Sequence, residues 1–182
     1  VIGHDFGSRV AGWCALTRPD VFGSVVMMSA PFTGAPELPV GVDGSIEVRE
    51  SPFEFVHKVV AQLTDLDKPR KHYQWYYSGP QANTDMWHAP QGLQAFLRAY
   101  YHVKSADWAP NQPHPLDGWT AQAWAELPDY YIMGANDTMA QAVAPFMPSS
   151  QVIAACQWLP DTDLAVYAAE YQRTGFQGGL QW

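Results

Sequence analysis

The chain has 182 residues, of which 47% are hydrophobic, 14% aromatic and 15% charged. This length and composition predict a globular protein with a substantial core and exclude a mainly disordered or fibrous chain. Eighteen acidic residues against ten Lys and Arg leave a formal charge of −8. Nucleic acid is therefore not an expected partner, because phosphate binding needs clustered positive charge.

Cysteine usage and hydropathy indicate the compartment. Cys14 and Cys156 are the only two cysteines and do not make a disulfide framework. We therefore expect a reducing, cytoplasmic setting. The sequence has no apolar run of about twenty residues, so no membrane partner is expected. The chain begins at Val1 and stops at Trp182 inside a patterned segment, and we expect it to be part of a longer protein.

The first 32 residues predict a strand, a tight turn, a helix and a second strand. Val1 and Ile2 read as the end of a buried strand, and Gly3–Gly7 forms a turn flanked by glycines. The apolar spacing in Ser8–Thr17 predicts a helix. The continuous apolar run in Ser24–Ser29 predicts a strand that is covered on both faces, as in a parallel sheet.

The rest of the chain is predominantly helical in pattern. Prolines and glycines punctuate the stretch after Pro31, so we place a boundary there, with residues 1–32 in one domain and 33–182 in a helical one. Helical spacing recurs in residues 53–63, 93–101 and 120–127, and a proline-rich loop is predicted for 104–118. Asp161 or Thr162 is predicted to cap the last helix and Gly175 to end it. The fold class is therefore α/β.

The most informative motif is the glycine-flanked turn with Asp5 at its centre. A side chain on a sharp strand-to-helix turn projects into a cleft, and the N-terminus of the following helix favours negative charge there. The carboxylate of Asp5 is a competent nucleophile toward an sp³ carbon, and the backbone N–H of Phe6 is placed to stabilise an oxyanion. The alternative is a plain turn in which Asp5 caps the helix.

Three segments together resemble the epoxide hydrolases of the α/β-hydrolase superfamily. The segment 1–32, which contains GHDFG, resembles the family's nucleophile elbow with its following helix and strand. The segments KHYQWYYSGP at 71–80 and YQRTGFQGGLQW at 171–182 resemble its cap domain. The resemblance implies a partial α/β-hydrolase core in residues 1–32, followed by a mainly helical cap.

The resemblance also implies roles for individual residues. Asp5 matches the nucleophile, and Tyr73 matches one of two cap tyrosines that donate a hydrogen bond to the epoxide oxygen. A phenol remains protonated at neutral pH and so suits that role. The alternative for Tyr73 is a half-buried aromatic residue that holds the cap helices together. The expected substrate is a small hydrophobic epoxide that reacts with water, and no cofactor is expected. The wall of the substrate pocket is predicted to consist of Phe6, Phe32, Gln74 and Trp75.

Several family elements are expected outside this sequence. The oxyanion loop should precede Val1, while the orienting acid, the base histidine and the second cap tyrosine should follow Trp182. Asp137 follows an apolar run, as an orienting acid would. The partner histidine should come after the acid in the chain, and no histidine follows His114 in this sequence. We therefore do not assign Asp137 that role. We accordingly expect these 182 residues not to turn over epoxides by themselves.

Two other functions stay open. A haloalkane or haloacid dehalogenase uses the same Asp elbow, although Phe6 lacks the side-chain donor or charge expected there in those enzymes. A non-catalytic ligand-binding relative would keep the elbow and the cap without turnover. The six histidines show no ligand spacing, so no metal site is predicted. The sequence does not indicate an oligomeric state.

Overall fold

A computed structural model describes residues 1–35 and 52–180. The chain divides into two compact units, Val1–Glu50 and Ser51–Trp182. Both α-helices and β-strands are present, so the chain is mixed α/β. The proline- and glycine-rich stretch predicted between Pro36 and Gly44, and the end of the third family-like segment at Trp182, lie outside the described residues. In the described part of the chain no helix is long and apolar enough to cross a membrane.

The first unit contains the strand, turn, helix and strand that the sequence predicts. Strand β1 is Ile2–His4, helix α1 is Phe6–Thr17 and strand β2 is Val26–Met28. The two strands are parallel, with Ile2 opposite Val26, which confirms the predicted order. Helix α1 begins two residues earlier than predicted, because the turn is completed at Asp5 rather than at Gly7.

Burial in the first unit is one-sided. Ala11 and Ser8, on α1, are buried, and the hydroxyl of Ser8 donates to the carbonyl oxygen of Ala30 at 2.6 Å. The side chains of β2 are exposed by 43–49%, so the predicted full burial of this strand is wrong for this chain. Helix α1 packs against both strands, and it is the cover that the described part of this unit provides.

The second unit is mainly helical. Its α-helices are α2 Pro52–Gln62, α3 Tyr73–Tyr77, α4 Ala82–Trp87, α5 Leu93–Val103, α6 Ala121–Trp124, α7 Met139–Val143, α8 Ser150–Ala155, α9 Asp161–Thr174 and α10 Gln177–Leu180. Short 3₁₀ turns span Leu63–Asp65 and Ala144–Phe146. Strand β3 Arg70–His72, which the sequence did not predict, pairs antiparallel with strand β4 Ile132–Gly134, which is the end of the apolar run before Asp137, and His72 lies opposite Ile132.

The helical predictions for this unit are mostly confirmed, with two corrections at helix ends. Helices α2 and α5 occupy the predicted segments, and 104–118 is irregular. Helix α6 stops at Trp124, short of the predicted end at Leu127. Pro160, rather than Asp161 or Thr162, holds the N-cap position of α9. Gly175 ends α9 with a φ of 62°, as predicted.

Among its described residues, the core of the second unit is apolar apart from the charged Arg98. Phe96 and Val103 of α5 are buried against Leu164 of α9 and the residues of α7. Arg98 is only 4% exposed. Its guanidinium donates to the carbonyl oxygen of Leu159 at 2.7 Å and to the carboxylate of Asp161 at 2.8 Å. The carboxylate of Asp161 therefore ties α9 to α5 instead of capping its own helix.

Candidate active site

The turn between β1 and α1 holds Asp5 in a strained backbone conformation. Its φ is 54° and its ψ is −121°, a region that residues with a side chain rarely adopt. The backbone N–H of Asp5 donates to the carbonyl oxygen of Met28 at 3.0 Å, and its carbonyl oxygen accepts from the N–H of Ser8 at 3.0 Å. These two bonds fix the turn to the neighbouring strand and to the helix.

Asp5 occupies the N-cap position of α1, yet its side chain makes no capping hydrogen bond. A capping carboxylate would accept a bond from a backbone N–H in the first turn. The alternative in which Asp5 serves as a helix cap is therefore not what this geometry shows. The residue is exposed, so the carboxylate is accessible at the end of the helix.

The two glycines that flank the turn have different roles. A Cβ at Gly3 would overlap the carbonyl group of Gly7 and lie 2.7 Å from the backbone nitrogen of Ser8. A Cβ at Gly7 would meet no atom within 4 Å. Within this unit the motif thus needs glycine at position 3, where the strand and the helix approach each other, and not at position 7.

The end of β2 carries a second strained residue that sequence reasoning missed. Ser29 has a φ of 68°, and the N–H of Ala30 donates to the carbonyl oxygen of Met28 at 2.9 Å, which closes a γ-turn. The hydroxyl of Ser29 lies 2.8 Å from Nε2 of His4. His4 and Ser29 therefore link the carboxyl ends of the two parallel strands, the edge at which α/β sheets bind ligands.

The two predicted pocket residues of this unit take different positions. Phe6 is the first residue of α1, and its side chain is 40% exposed beside Asp5. The ring of Phe32 packs over Gly12, where a Cβ would lie 2.5 Å from it, and meets the indole of Trp13 edge-on at 5.4 Å. Phe32 thus covers α1, while Phe6 lies at the turn itself.

Tyr73, in the second unit, begins α3 directly after β3. Its backbone N–H donates to the carbonyl oxygen of Tyr131 at 2.8 Å, which extends the pairing with the segment before β4. Its ring lies edge-on to those of Tyr77 and Tyr131, each 5.4 Å away. The side-chain amide of Gln74 donates to the Tyr73 hydroxyl over a long 3.4 Å. The ring is half-buried, a placement that fits either predicted role.

A polar chain runs through the tyrosine cluster next to Tyr73. The ammonium group of Lys104 donates to the hydroxyl of Tyr100 at 2.8 Å, and the Tyr100 hydroxyl lies 3.2 Å from that of Tyr77. Lys104 also lies over the ring of Tyr130, 4.8 Å from its centre. Burial, and then the neighbouring Tyr100, raise the pKa of Tyr77 well above its usual range. Tyr77 therefore remains a neutral phenol.

His72 shapes the start of α3. Its Nδ1 accepts the backbone N–H of Gln74 at 3.3 Å, and burial lowers the pKa of its imidazole. Its ring lies 4.8 Å from that of Tyr73 and 5.6 Å from that of Trp124. A neutral His72 is what this arrangement requires, because a protonated Nδ1 cannot accept a hydrogen bond.

Trp75 faces a different side of α3. Its indole meets the rings of His57 and His72 edge-on at 5.3 and 5.6 Å. It also lines a cleft of about 260 Å³ with Lys71 and Tyr76, a cleft that Tyr73 does not line.

Asp137 lies in the loop after β4, and its backbone N–H donates to the carbonyl oxygen of Gly134 at 3.0 Å. The strand-to-loop pattern read from the sequence is confirmed there. Among residues 1–35 and 52–180, no three His, Cys, Asp or Glu side chains lie close enough together to hold a metal ion.

Comparisons with models of protein families, with curated proteins and with solved structures return no match for this chain. The candidate site is therefore defined by its own geometry. Asp5 belongs to the first unit and Tyr73 to the second.

Proposed function

We propose that this chain carries the nucleophile and a cap tyrosine of an epoxide hydrolase with an α/β-hydrolase core. The observation that carries the proposal is the backbone of Asp5, strained at a strand-to-helix turn, with a carboxylate that is exposed and does not cap the helix. Strain of this kind persists where surrounding contacts hold the backbone in place, and it is concentrated at functional sites. The sequence resemblance then assigns the chemistry.

In the proposed reaction, an oxygen of the Asp5 carboxylate attacks a ring carbon of the epoxide. The C–O bond of the ring breaks, its electron pair goes to the ring oxygen, and that oxygen takes a proton from a phenol. The product is a hydroxyalkyl ester of Asp5. A histidine takes a proton from water, the resulting hydroxide adds to the ester carbonyl carbon, and the backbone N–H of Phe6 stabilises the oxyanion. The acyl C–O bond then breaks, the leaving alkoxide takes the proton from the histidine to give the diol, and the proton on the regenerated Asp5 acid returns to the phenolate.

Tyr73 is the proposed proton donor to the ring oxygen. The side-chain amide of Gln74 donates to the Tyr73 hydroxyl oxygen, so the phenol is the acceptor in this bond. Such a bond also stabilises the negative charge that grows on the phenol as it gives up its proton. The packing of Tyr77 and Tyr131 against the ring fixes its orientation.

The test is a product assay on the longest available polypeptide that contains these residues, with styrene oxide and a bromoalkane as substrates. We expect diol from the epoxide, no bromide, and loss of the diol in Asp5→Asn. Asp20→Asn is the matched control, because Asp20 is an exposed carboxylate in the same unit. Bromide release without diol would replace the proposal with a dehalogenase, and the absence of both products would leave a binding protein.

The role of Tyr73 is tested separately with Tyr73→Phe. Loss of the proton donor lowers the rate of a step such as ring opening by about 10²- to 10⁴-fold. A second cap tyrosine would share the donor role, so the loss would then lie near the lower of these values. Tyr77→Phe is the control, because it removes a hydroxyl four residues away that bonds to Tyr100. Equal kcat losses in both variants would mean that Tyr73 acts only through packing.

A further inference from the structure

In a cleft beside α3, the amine of Lys71 lies next to the aromatic side chains of Trp75 and Tyr76. The cleft has a volume of about 260 Å³ and is lined by Lys71, Trp75 and Tyr76 together with residues 79–82. The ammonium nitrogen of Lys71 lies 5.1 Å from the centre of the Tyr76 ring, and the indole of Trp75 is 42% exposed. The volume suits a ligand the size of one substituted aromatic ring.

The charges around Lys71 restrict the ligand. Asp137 and Asp85 both act on it electrostatically, and the carboxylate of Asp85 accepts a bond from the Tyr76 hydroxyl at 3.3 Å. Two carboxylates against one ammonium group leave the surroundings of the cleft acidic, so an anionic ligand would be repelled. A neutral ligand with an apolar body meets no such penalty.

Lys71 also differs from an ordinary surface lysine in its protonation. Burial lowers the pKa of its amine, even though both carboxylates oppose that shift. The free amine is the nucleophilic form, and partial burial beside apolar groups is how proteins increase its share near neutral pH.

We propose that Lys71 is a carbonyl-capture site at which neutral aromatic or short apolar aldehydes form an imine in the cleft walled by Trp75 and Tyr76. The Nζ lone pair of the free amine adds to the aldehyde carbon, and one of the two nitrogen protons passes to the carbonyl oxygen to give a carbinolamine. The second nitrogen proton passes to the same oxygen as the C=N bond forms and the C–O bond breaks, so the oxygen leaves as water. One amine and one aldehyde thus give one imine and one water, with no oxidant or reductant.

The carboxylates near Lys71 serve as proton acceptors in these steps. Asp85 and Asp137 lie on different elements, α4 and the loop after β4, and both act on the amine. Burial raises the pKa of Tyr76 above its usual range, so its hydroxyl stays protonated and keeps donating to the carboxylate of Asp85. This site does not involve Asp5, and its test is independent of the proposed hydrolase.

The experiment traps the imine. The folded chain is incubated at pH 7 with limiting benzaldehyde and cyanoborohydride, which reduces the imine to a stable secondary amine, and the labelled peptides are mapped by mass spectrometry. The four lysines, Lys58, Lys68, Lys71 and Lys104, and the α-amino group are resolved in separate peptides. We expect Lys71 to be labelled several-fold faster than the exposed Lys68.

Three variants complete the test. Lys71→Arg keeps the charge and should remove most of the lysine labelling, whereas Lys68→Arg should leave it nearly unchanged. Trp75→Ala removes one wall of the cleft and should lower labelling at Lys71 several-fold, with circular dichroism confirming that each variant is folded. Equal labelling of Lys68 and Lys71, or labelling of Lys71 that Trp75→Ala does not change, would overturn the proposal.

Discussion

Replacing Gly3 with Ala should damage the elbow, while the same replacement at Gly7 should not. The added Cβ at position 3 would lie 2.7 Å from the nitrogen of Ser8 and even closer to the carbonyl group of Gly7. An ordinary contact is at least 3.4 Å, so the Ser8 nitrogen alone would have to move by 3.4 − 2.7, or about 0.7 Å. All of these atoms are backbone, so no side chain can rotate away.

Overpacking of this kind costs about 1–3 kcal/mol, and we expect a value at the upper end because β1 and α1 must separate. Hydrogen exchange measures the loss at the amide of Asp5, which bonds to Met28. A loss of 1–3 kcal/mol corresponds to exchange that is faster by about 5- to 150-fold. Gly7→Ala meets no atom and should leave exchange unchanged or slightly slower. Equal effects of the two variants would refute the reasoning.

Two further predictions concern the second unit. Asp161→Ala leaves the buried guanidinium of Arg98 without its carboxylate and should lower the free energy of unfolding by about 1–3 kcal/mol. Glu170→Ala breaks an exposed ion pair with Arg173 and should change the free energy of unfolding by less than about 1 kcal/mol. Urea titration that gives equal losses would contradict this. Burial lowers the pKa of the His72 imidazole in the folded chain. The unfolded chain therefore binds a proton on this imidazole at a higher pH than the folded chain does. The stability that His72 contributes is thus fully present above about pH 6.5 and lost as pH falls through its lower folded pKa. His72→Asn should flatten the fall in unfolding free energy between pH 7.5 and 5, and an unchanged slope in a folded His72→Asn variant would contradict this account.

The first unit was predictable because its signals are local. The glycines around Asp5, the apolar spacing of α1 and the apolar run of β2 lie within thirty residues, and each constrains its own element. The exposure of β2 was not predictable in the same way, because burial depends on which elements cover the sheet. The strain at Ser29 was missed for a related reason, since serine gives no signal for a positive φ.

The errors in the second unit arise from partners that are distant in the sequence. Strand β3 is short and polar, and it is a strand only because Ile132, sixty residues later, pairs with His72. The capping prediction for Asp161 failed because Pro160 takes the cap position and Arg98 attracts the carboxylate. Tyr73 could be selected from the sequence. The hydrogen-bonded series of side chains beside it, from Lys104 through Tyr100 to Tyr77, depends on tertiary contacts and could not.

The central claim is that the carboxylate of Asp5 is a nucleophile, and covalent capture tests it most directly. The 182-residue chain is incubated with styrene oxide, digested, and the modified residue is located by tandem mass spectrometry. We predict one hydroxyalkyl ester, on Asp5, which hydroxylamine removes and which is absent from Asp5→Asn but present in Asp20→Asn. Modification confined to other residues, or an adduct that persists unchanged in a folded Asp5→Asn variant, would contradict the claim.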